Sequence, residues 1–143
     1  MELVGEHTFN APRQQVWDFL LDPNVLQQCL PGCEKLDKLG EDEYAATMKI
    51  GIAMIKGTFS GKVKITDKVE PSSYRLTVEG QGKPGFAKGN SAITLRADGD
   101  KTVVDVSGTV QTGGPIARVG QRLIGGVSKM MLDRFFSCLQ GKV

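Results

Sequence analysis

The sequence has few of the residues on which most enzyme active sites depend. Its 143 residues include one histidine, three cysteines, one tryptophan and two tyrosines. Zinc-type sites need several His or Cys ligands at short spacing, and neither Cys-x-x-Cys nor His-x-x-x-His occurs. A nucleophilic triad would have to use His7, which we expect on the surface of an N-terminal strand. We therefore predict no metal, no cofactor and no catalytic residue.

Strong net charge and long apolar runs are also missing. Eighteen Lys and Arg residues against 16 Asp and Glu give a net charge of +2, too balanced to indicate a nucleic-acid-binding protein. No apolar run approaches the ~20 residues of a membrane span, and the N-terminus lacks the features of a signal peptide. The sequence thus predicts a cytoplasmic protein with a single domain over residues 1–143.

The three cysteines predict no disulfide framework. They cannot all pair, and a free cysteine is often a small buried hydrophobic residue. We assign that role to Cys29, Cys33 and Cys138; the alternative for Cys29 and Cys33, which flank a tight turn, is a redox role that their spacing permits. Basic residues predominate in residues 114–143, which suits either an ordinary solvated helix face or a surface for an acidic partner or anionic lipid.

Hydrophobic periodicity predicts the element order β-α-α-β6-α. Residues 2–9 form a first strand, and two short helices follow Pro12 and Pro23. From residue 33 to 111 the period is two with short turns, which is typical of an antiparallel meander covered on one face. Residues 115–140 predict one helix of about 26 residues, bent at Gly125-Gly126 because the apolar stripes before and after that pair point in different directions. The fold class is α+β, with about seven strands in a curved sheet that grips the long helix.

Glycine is abundant, with 18 residues, roughly twice its usual ~7% share. Several glycines fall on the apolar faces of the predicted strands, where they remove side-chain volume and allow the sheet to curl. We interpret them as signs of an internal cavity; the alternative is that they only permit close packing of the helix on the sheet. The residues predicted to line the cavity and bind a ligand are Tyr44, Met48, Ile50, Phe59, Leu76, Val78, Gly89, Ser91, Ile93, Val106, Gly108, Gly120, Leu123 and Val127.

Two features of the strand pattern bear on function. No inward strand position holds Asp, Glu, Lys or His, which favours binding over acid–base catalysis. The hairpin tip at residues 51–57 is apolar, whereas tips are usually polar, and we expect it to contact a partner or a membrane unless its residues fold back under the sheet. The predicted contact residues, including those of a neighbouring tip and the basic segment, are Ile52, Met54, Ile55, Phe86, Arg118 and Arg122.

Several segments resemble one known family. They are FNAPRQQVWDFLLDP at residues 9–23, CLPGCE at 29–34, IKGTFSGKV at 55–63, the glycines at 80 and 89, and GPIARVGQRLI at 114–124. Together they resemble the CoxG family, the G subunits of carbon monoxide dehydrogenase, within the START-like (SRPBCC) helix-grip superfamily. The resemblance extends over essentially the whole chain.

The resemblance implies a non-catalytic accessory protein of a molybdenum-containing carbon monoxide dehydrogenase. It further implies a role in tethering the dehydrogenase to the membrane, with peripheral contact at the inner face, and in handling a lipophilic quinone. A quinone or lipid ligand agrees with the predicted apolar cavity. Two alternatives stay open, namely a cyclase or dehydratase type of enzyme on the same fold, and a pure protein–protein adaptor with a filled core.

Overall fold

A computed structural model describes residues 1–52 and 55–143 of the chain, with the side chain of residue 52 left aside. The strands are β1 (Glu2–Phe9), β2 (Cys33–Gly40), β3 (Glu43–Ile52), β4 (Ile55–Val69), β5 (Ser73–Gly82), β6 (Gly85–Asp98) and β7 (Lys101–Gly113). The helices are α1 (Arg13–Leu20), α2 (Pro23–Cys29) and α3 (Gln121–Gln140), and a 3₁₀ helix (Pro115–Val119) precedes α3.

The seven strands form one antiparallel sheet in the order β1-β7-β6-β5-β4-β3-β2. The predicted element order β-α-α-β6-α and the α+β class are confirmed. Because β1 and β2 lie at opposite edges of the sheet, α1 and α2 must carry the chain from one edge to the other. On the way α1 packs on β6 and β7, and α2 packs on β2 and α3.

Helices α1 and α2 close one end of the sheet. Pro23 occupies the first turn of α2, and the Asp22 carboxylate caps that helix by accepting a hydrogen bond from the Asn24 N–H at 2.9 Å, a favourable start for a short helix. Trp17 of α1 is buried, donates its indole N–H to Glu70 at 3.0 Å, and meets Tyr74 edge to face at 5.5 Å.

The C-terminal helix is shorter than predicted. Gly120 has a φ of 92° and separates the 3₁₀ helix from α3, which then continues without interruption through Gly125 and Gly126. The prediction of one helix over residues 115–140 is therefore wrong, because the break lies at Gly120. A bend of the helix axis at Gly125-Gly126 stays a prediction. The apolar stripe predicted before the glycine pair included residues 116–119, which belong to the 3₁₀ helix and not to the helical wheel of α3. None of the described helices is long and apolar enough to cross a membrane.

Cys29 and Cys138 form a disulfide, with 5.4 Å between their Cα atoms. The bond joins α2 to the last turns of α3, so the prediction that all three cysteines are unpaired is wrong for these two. They are 109 residues apart in the sequence, and only the antiparallel return of the chain brings them together. Cys33 is a free, partly buried thiol, and burial raises its pKa, which makes it a poor nucleophile.

His7 lies on the covered face of β1 and not on the surface as predicted. Its ring stacks on Phe136 of α3 at 5.3 Å and lies 4.5 Å from the ring of Phe9. Its Nε2 atom is buried without a hydrogen-bond partner among the described residues. The histidine thus belongs to the packing between β1 and α3.

The disulfide predicts a large effect of its loss on stability. Replacing Cys29 and Cys138 together by serine should lower the free energy of unfolding by roughly 2–4 kcal/mol, because the bond closes a very long loop in the unfolded chain. Denaturant unfolding under non-reducing conditions measures this change. Cys33→Ser is the matched control and should leave the midpoint unchanged. Equal midpoints for the wild type with and without a dithiol reductant would contradict the prediction.

Candidate ligand-binding cavity

The buried hydrophobic residues form two separate clusters. The larger contains Trp17, Tyr74 and Leu139 and lies at the end closed by α1 and α2. The smaller joins the β3–β4 hairpin, the 3₁₀ helix and the first turns of α3, and consists of Ile50, Ile55, Phe59, Ile116, Ile124 and Val127. A cavity of about 440 Å³ is lined by members of both clusters. The interior is thus filled at its two ends and open between them.

The strand register explains why the middle of the sheet is not filled. Ala46 pairs with Gly61, Gly61 with Gly80, Gly80 with Ala87, and Ala87 with Thr112. These small residues form one row across five neighbouring strands, and all of them line the cavity. A row without large side chains leaves open space over these strands, and the cavity occupies it.

Most of the predicted lining residues are where the sequence placed them. Val78 lies on β5, the central strand of the sheet, and 38% of its surface is nevertheless exposed. A side chain at this position would be covered if the interior were filled, so its exposure indicates the cavity. The predicted residues that line the cavity are Tyr44, Met48, Ile50, Phe59, Leu76, Val78, Gly89, Ser91, Ile93, Val106, Gly108 and Val127.

Two predicted residues do not line the cavity. Gly120 is exposed and terminates the 3₁₀ helix. Leu123 is partly buried, while its neighbour Ile124 points inward. Both errors follow from the assumption that one regular helix begins at residue 115. That assumption rotates the predicted inward-facing side of the helix by about one residue.

The sequence missed the helical walls of the cavity. Leu26 and Leu30 line it from the segment around α2, and Met131, Leu132 and Phe135 line it from the second half of α3. Their apolar spacing was visible in the sequence. What they face depends on how α2 folds back on α3, and the sequence pattern does not contain that information.

The cavity offers few polar groups. Tyr44 and Tyr74 are 5% and 6% exposed, and neither hydroxyl makes a hydrogen bond within the part of the chain that the structure describes. Burial raises the pKa of both hydroxyls, and the Asp42 carboxylate raises that of Tyr44 further. Both tyrosines are therefore neutral hydrogen-bond donors near pH 7. Ser91 and Ser128 add two more hydroxyls.

The residues that the structure describes bring no carboxylate, lysine or histidine into the interior of the cavity. Lys62, Glu79 and Lys88 touch it, but each is an exposed residue next to a glycine on the lining. Among residues 1–52 and 55–143, no three His, Cys, Asp or Glu side chains are grouped so as to hold a metal ion. The lining can enclose an apolar ligand and provide it with a few hydroxyl groups as hydrogen-bond partners.

The predicted apolar tip is only partly exposed. Ile55 is buried in the smaller cluster, so its predicted role as an exposed contact residue is wrong, because this residue folds back under the sheet. Met54 and the side chain of Ile52 lie outside the described residues. Phe86 is 42% exposed, and Arg118 and Arg122 are exposed as the prediction requires.

The two hairpin tips and the 3₁₀ helix lie together at this end. A Cβ atom on Gly57 would lie 2.6 Å from Pro84 Cγ, so the β5–β6 tip packs directly on β4. The Ile116 N–H donates to the Pro84 carbonyl at 2.7 Å, which attaches the 3₁₀ helix to the same tip. We call the described residues of segments 49–57, 82–86 and 114–122 the basic end.

Filling the cavity should be tolerated at some glycines and not at others. A Cβ atom on Gly89 would meet only the Thr109 carbonyl oxygen, at 3.7 Å, whereas one on Gly108 would lie 2.4 Å from the Asn90 carbonyl oxygen. Gly89→Leu should therefore change the free energy of unfolding by less than about 1 kcal/mol, and Gly108→Leu should lower it by roughly 1–3 kcal/mol. The sequence alone predicts tolerance at both positions. Equal losses in denaturant melts would show that Gly89 faces packed atoms.

The family profile of the carbon monoxide dehydrogenase G subunit (CoxG) matches residues 5–143. A comparison with curated proteins finds no match. The crystal structure of a conserved protein from Geobacillus kaustophilus is similar with a TM-score of 0.96 and 34% identity, over 99% of this chain and 94% of that one.

More distant structures share the fold alone. A START superfamily protein from Mycobacterium smegmatis has a TM-score of 0.78 at 13% identity, over 99% of this chain and 96% of that one. The protein TTHA0849 from Thermus thermophilus has a TM-score of 0.73 at 14% identity, over 99% and 95%. The fold is therefore START-like, and the chain belongs to the CoxG family of carbon monoxide dehydrogenase G subunits.

Proposed function

We propose that the protein carries a neutral hydrophobic ligand, of quinone or lipid type, and serves a carbon monoxide dehydrogenase-type molybdenum oxidoreductase without catalysing a reaction itself. The observation that supports this most is the cavity of about 440 Å³ between two hydrophobic clusters. Its volume falls within the range of roughly 300–1,000 Å³ that is usual for small-molecule sites. The dehydrogenase as partner rests on the family assignment.

The cavity favours a carrier over the two alternatives. A pure protein–protein adaptor gains nothing from an open interior, because unfilled apolar space costs dispersion contacts. A cyclase or dehydratase needs an acid or base at the substrate, and the ionisable groups facing the cavity interior are two tyrosines whose pKa values burial raises further. An apolar lining with a few hydroxyl groups is what a binding role requires.

The basic end supplies a surface for membrane contact. Its three segments contain Lys49, Lys56, Lys83, Arg118 and Arg122 and no Asp or Glu, and all five cations are exposed. Phe86, which is 42% exposed, belongs to the same three segments. Basic residues around apolar side chains bind anionic membrane surfaces through electrostatic attraction and shallow insertion. Because the smaller cluster lines the cavity beneath this surface, we propose that the ligand passes between membrane and cavity at the basic end.

We place the protein in the cytoplasm, at the inner face of the membrane. A lipophilic ligand in the bilayer and a dehydrogenase beside it are both within reach there. The Cys29–Cys138 disulfide is the observation that weighs against this compartment, because disulfides persist mainly in oxidising ones.

Bound ligand is the direct test of the carrier role. Organic extracts of the purified protein, analysed by mass spectrometry, should contain a quinone or lipid in near-stoichiometric amount, and the stripped protein should bind decylubiquinone in titration calorimetry. Gly80→Leu combined with Gly89→Leu should reduce both signals at least tenfold while the protein stays folded, because both side chains would occupy the cavity. An empty extract together with no binding of decylubiquinone would favour the adaptor.

Membrane contact predicts a salt-sensitive affinity for anionic vesicles. Arg118→Glu with Arg122→Glu should weaken binding to phosphatidylglycerol vesicles by roughly tenfold or more, since each cation at such a surface contributes about 1 kcal/mol. Lys35→Glu with Lys38→Glu changes the net charge equally on exposed positions of β2 and should have little effect. Vesicle co-sedimentation at low and high salt measures both variants. Equal weakening by the two pairs would show that only the net charge matters.

A further inference from the structure

We propose that Tyr74 selects the ligand by donating a hydrogen bond to a neutral oxygen acceptor, such as a carbonyl or an ether oxygen, at the inner end of the cavity. This inference rests on the proposed carrier function and adds the chemical class and orientation of the ligand. The polar group would enter first and lie against Tyr74, with the apolar remainder extending toward the basic end.

The position of Tyr74 makes it the inner end of the site. It is the second residue of β5, and the opposite end of that strand, Gly82, belongs to the basic end. Within β5 the cavity lining extends from Tyr74 to Gly80, which is six residue steps or about 20 Å at 3.3 Å per residue. Both Tyr74 and Ile116 of the basic end line the same cavity. The cavity is therefore elongated, and an elongated ligand would place its two ends in different surroundings.

The Tyr74 hydroxyl has no alternative partner in the described structure. Its ring packs on Trp17, but the indole N–H of Trp17 is donated to Glu70 and is not an acceptor. Its cross-strand neighbour is Ile93, which pairs in turn with Val106. Among the described residues, His7 Nε2 is the buried side-chain polar atom that lacks a partner, and the Tyr74 oxygen is not in that state. The Tyr74 hydroxyl is therefore accessible from the cavity, where a ligand oxygen can take the place that water would otherwise occupy.

This arrangement discriminates between ligand classes. A ligand with an acceptor oxygen replaces the water that can reach this donor and keeps its own oxygen hydrogen-bonded, whereas a hydrocarbon of the same shape excludes that water and leaves the donor unpaired. A carboxylate or phosphate would lose its hydration, with no cation on the described inner lining to compensate it. Since burial raises the pKa of Tyr74, its hydroxyl remains a donor and does not become an anion.

The other hydroxyls serve as comparisons. Tyr44 lies near the Asp42–Lys68 ion pair, which has a separation of 2.8 Å and influences the pKa of Tyr44. Its surroundings are thus closer to charged and solvated groups than those of Tyr74. Ser91 lies midway along the lining, paired with Leu76 and Gly108. Tyr44→Phe and Ser91→Ala are therefore matched controls that each remove one cavity hydroxyl.

The test compares probes that differ in one oxygen. The probes are 2-acetylnaphthalene, a neutral ketone, and 2-isopropylnaphthalene, its hydrocarbon counterpart, with 2-naphthoate as the charged analogue. Tyr74→Phe should weaken binding of the ketone by roughly threefold to tenfold and leave binding of the hydrocarbon unchanged. The wild type should bind the naphthoate least. Because Tyr44 and Ser91 also line the cavity, Tyr44→Phe and Ser91→Ala should weaken binding of the ketone, but by less than Tyr74→Phe does.

Infrared spectroscopy of the ketone, labelled with carbon-13 at its carbonyl, provides a second measurement. A hydrogen bond lowers the carbonyl stretching frequency, so the bound ketone should show a lowered band in the wild type and not in Tyr74→Phe. An unshifted band in the wild type, or a loss of affinity in Ser91→Ala or Tyr44→Phe instead of Tyr74→Phe, overturns the selection by Tyr74 and leaves the carrier function standing. Failure of the wild type to bind either neutral probe contradicts both proposals.

Discussion

The interior of this protein depends on how α3 is held at its two sides. Along one side it contacts β1, where Gly5 permits so close an approach that a Cβ atom there would lie 2.5 Å from Leu132 Cδ2. Along the other side it packs on α2, and the Cys29–Cys138 disulfide joins the two helices covalently. Supported in this way, α3 forms one wall of the cavity.

An open interior is stable only because the two ends are well packed. The cluster around Trp17 and Leu139 provides most of the buried side chains, and the cluster around Phe59 and Ile124 closes the other end. Burying one such side chain contributes about 1.5–3 kcal/mol, so losing contacts along a single row of small residues is a modest cost. The disulfide and the close contact at Gly5 then oppose collapse of α3 onto that row.

The sequence predicted the sheet and its covered face well, because a period of two leaves little ambiguity about which side chains share a face. Val78, Gly89 and Ile93 line the cavity for that reason. The sequence predicted that the glycines as a group border a cavity, but it did not predict which of them has room for a side chain. Whether a Cβ atom fits at Gly89 and not at Gly108 depends on the approach of the neighbouring strand, and a periodic pattern carries no such distance.

The helical part was harder to predict, for a different physical reason. A 3₁₀ helix and an α-helix look alike in a short apolar sequence, and a glycine with positive φ that separates them is seen only in the backbone. Because the break at Gly120 was not foreseen, the inward-facing side of α3 was predicted one residue too early. The prediction therefore named Leu123 as a lining residue, whereas Ile124 lines the cavity. The Cys29–Cys138 pair was missed because two cysteines that are distant in the sequence carry no signal of pairing.

The two ends of the cavity differ in chemistry, and that difference gives the site a direction. At one end, exposed cations surround a small cluster in which Ile116 belongs to a 3₁₀ helix bounded by Gly114 and Gly120, both with positive φ. At the other end, Tyr74 lies in the larger cluster next to Trp17.

The 3₁₀ segment between Gly114 and Gly120 is attached to the rest of the basic end through Ile116. The Ile116 N–H donates a backbone hydrogen bond to the Pro84 carbonyl, and the Ile116 side chain packs in the smaller cluster. Opening the cavity there disturbs few interactions, whereas opening it beside Tyr74 would break up the main core. A ligand taken up at the basic end with its acceptor oxygen leading would therefore also leave there, tail first, toward the surface from which it came.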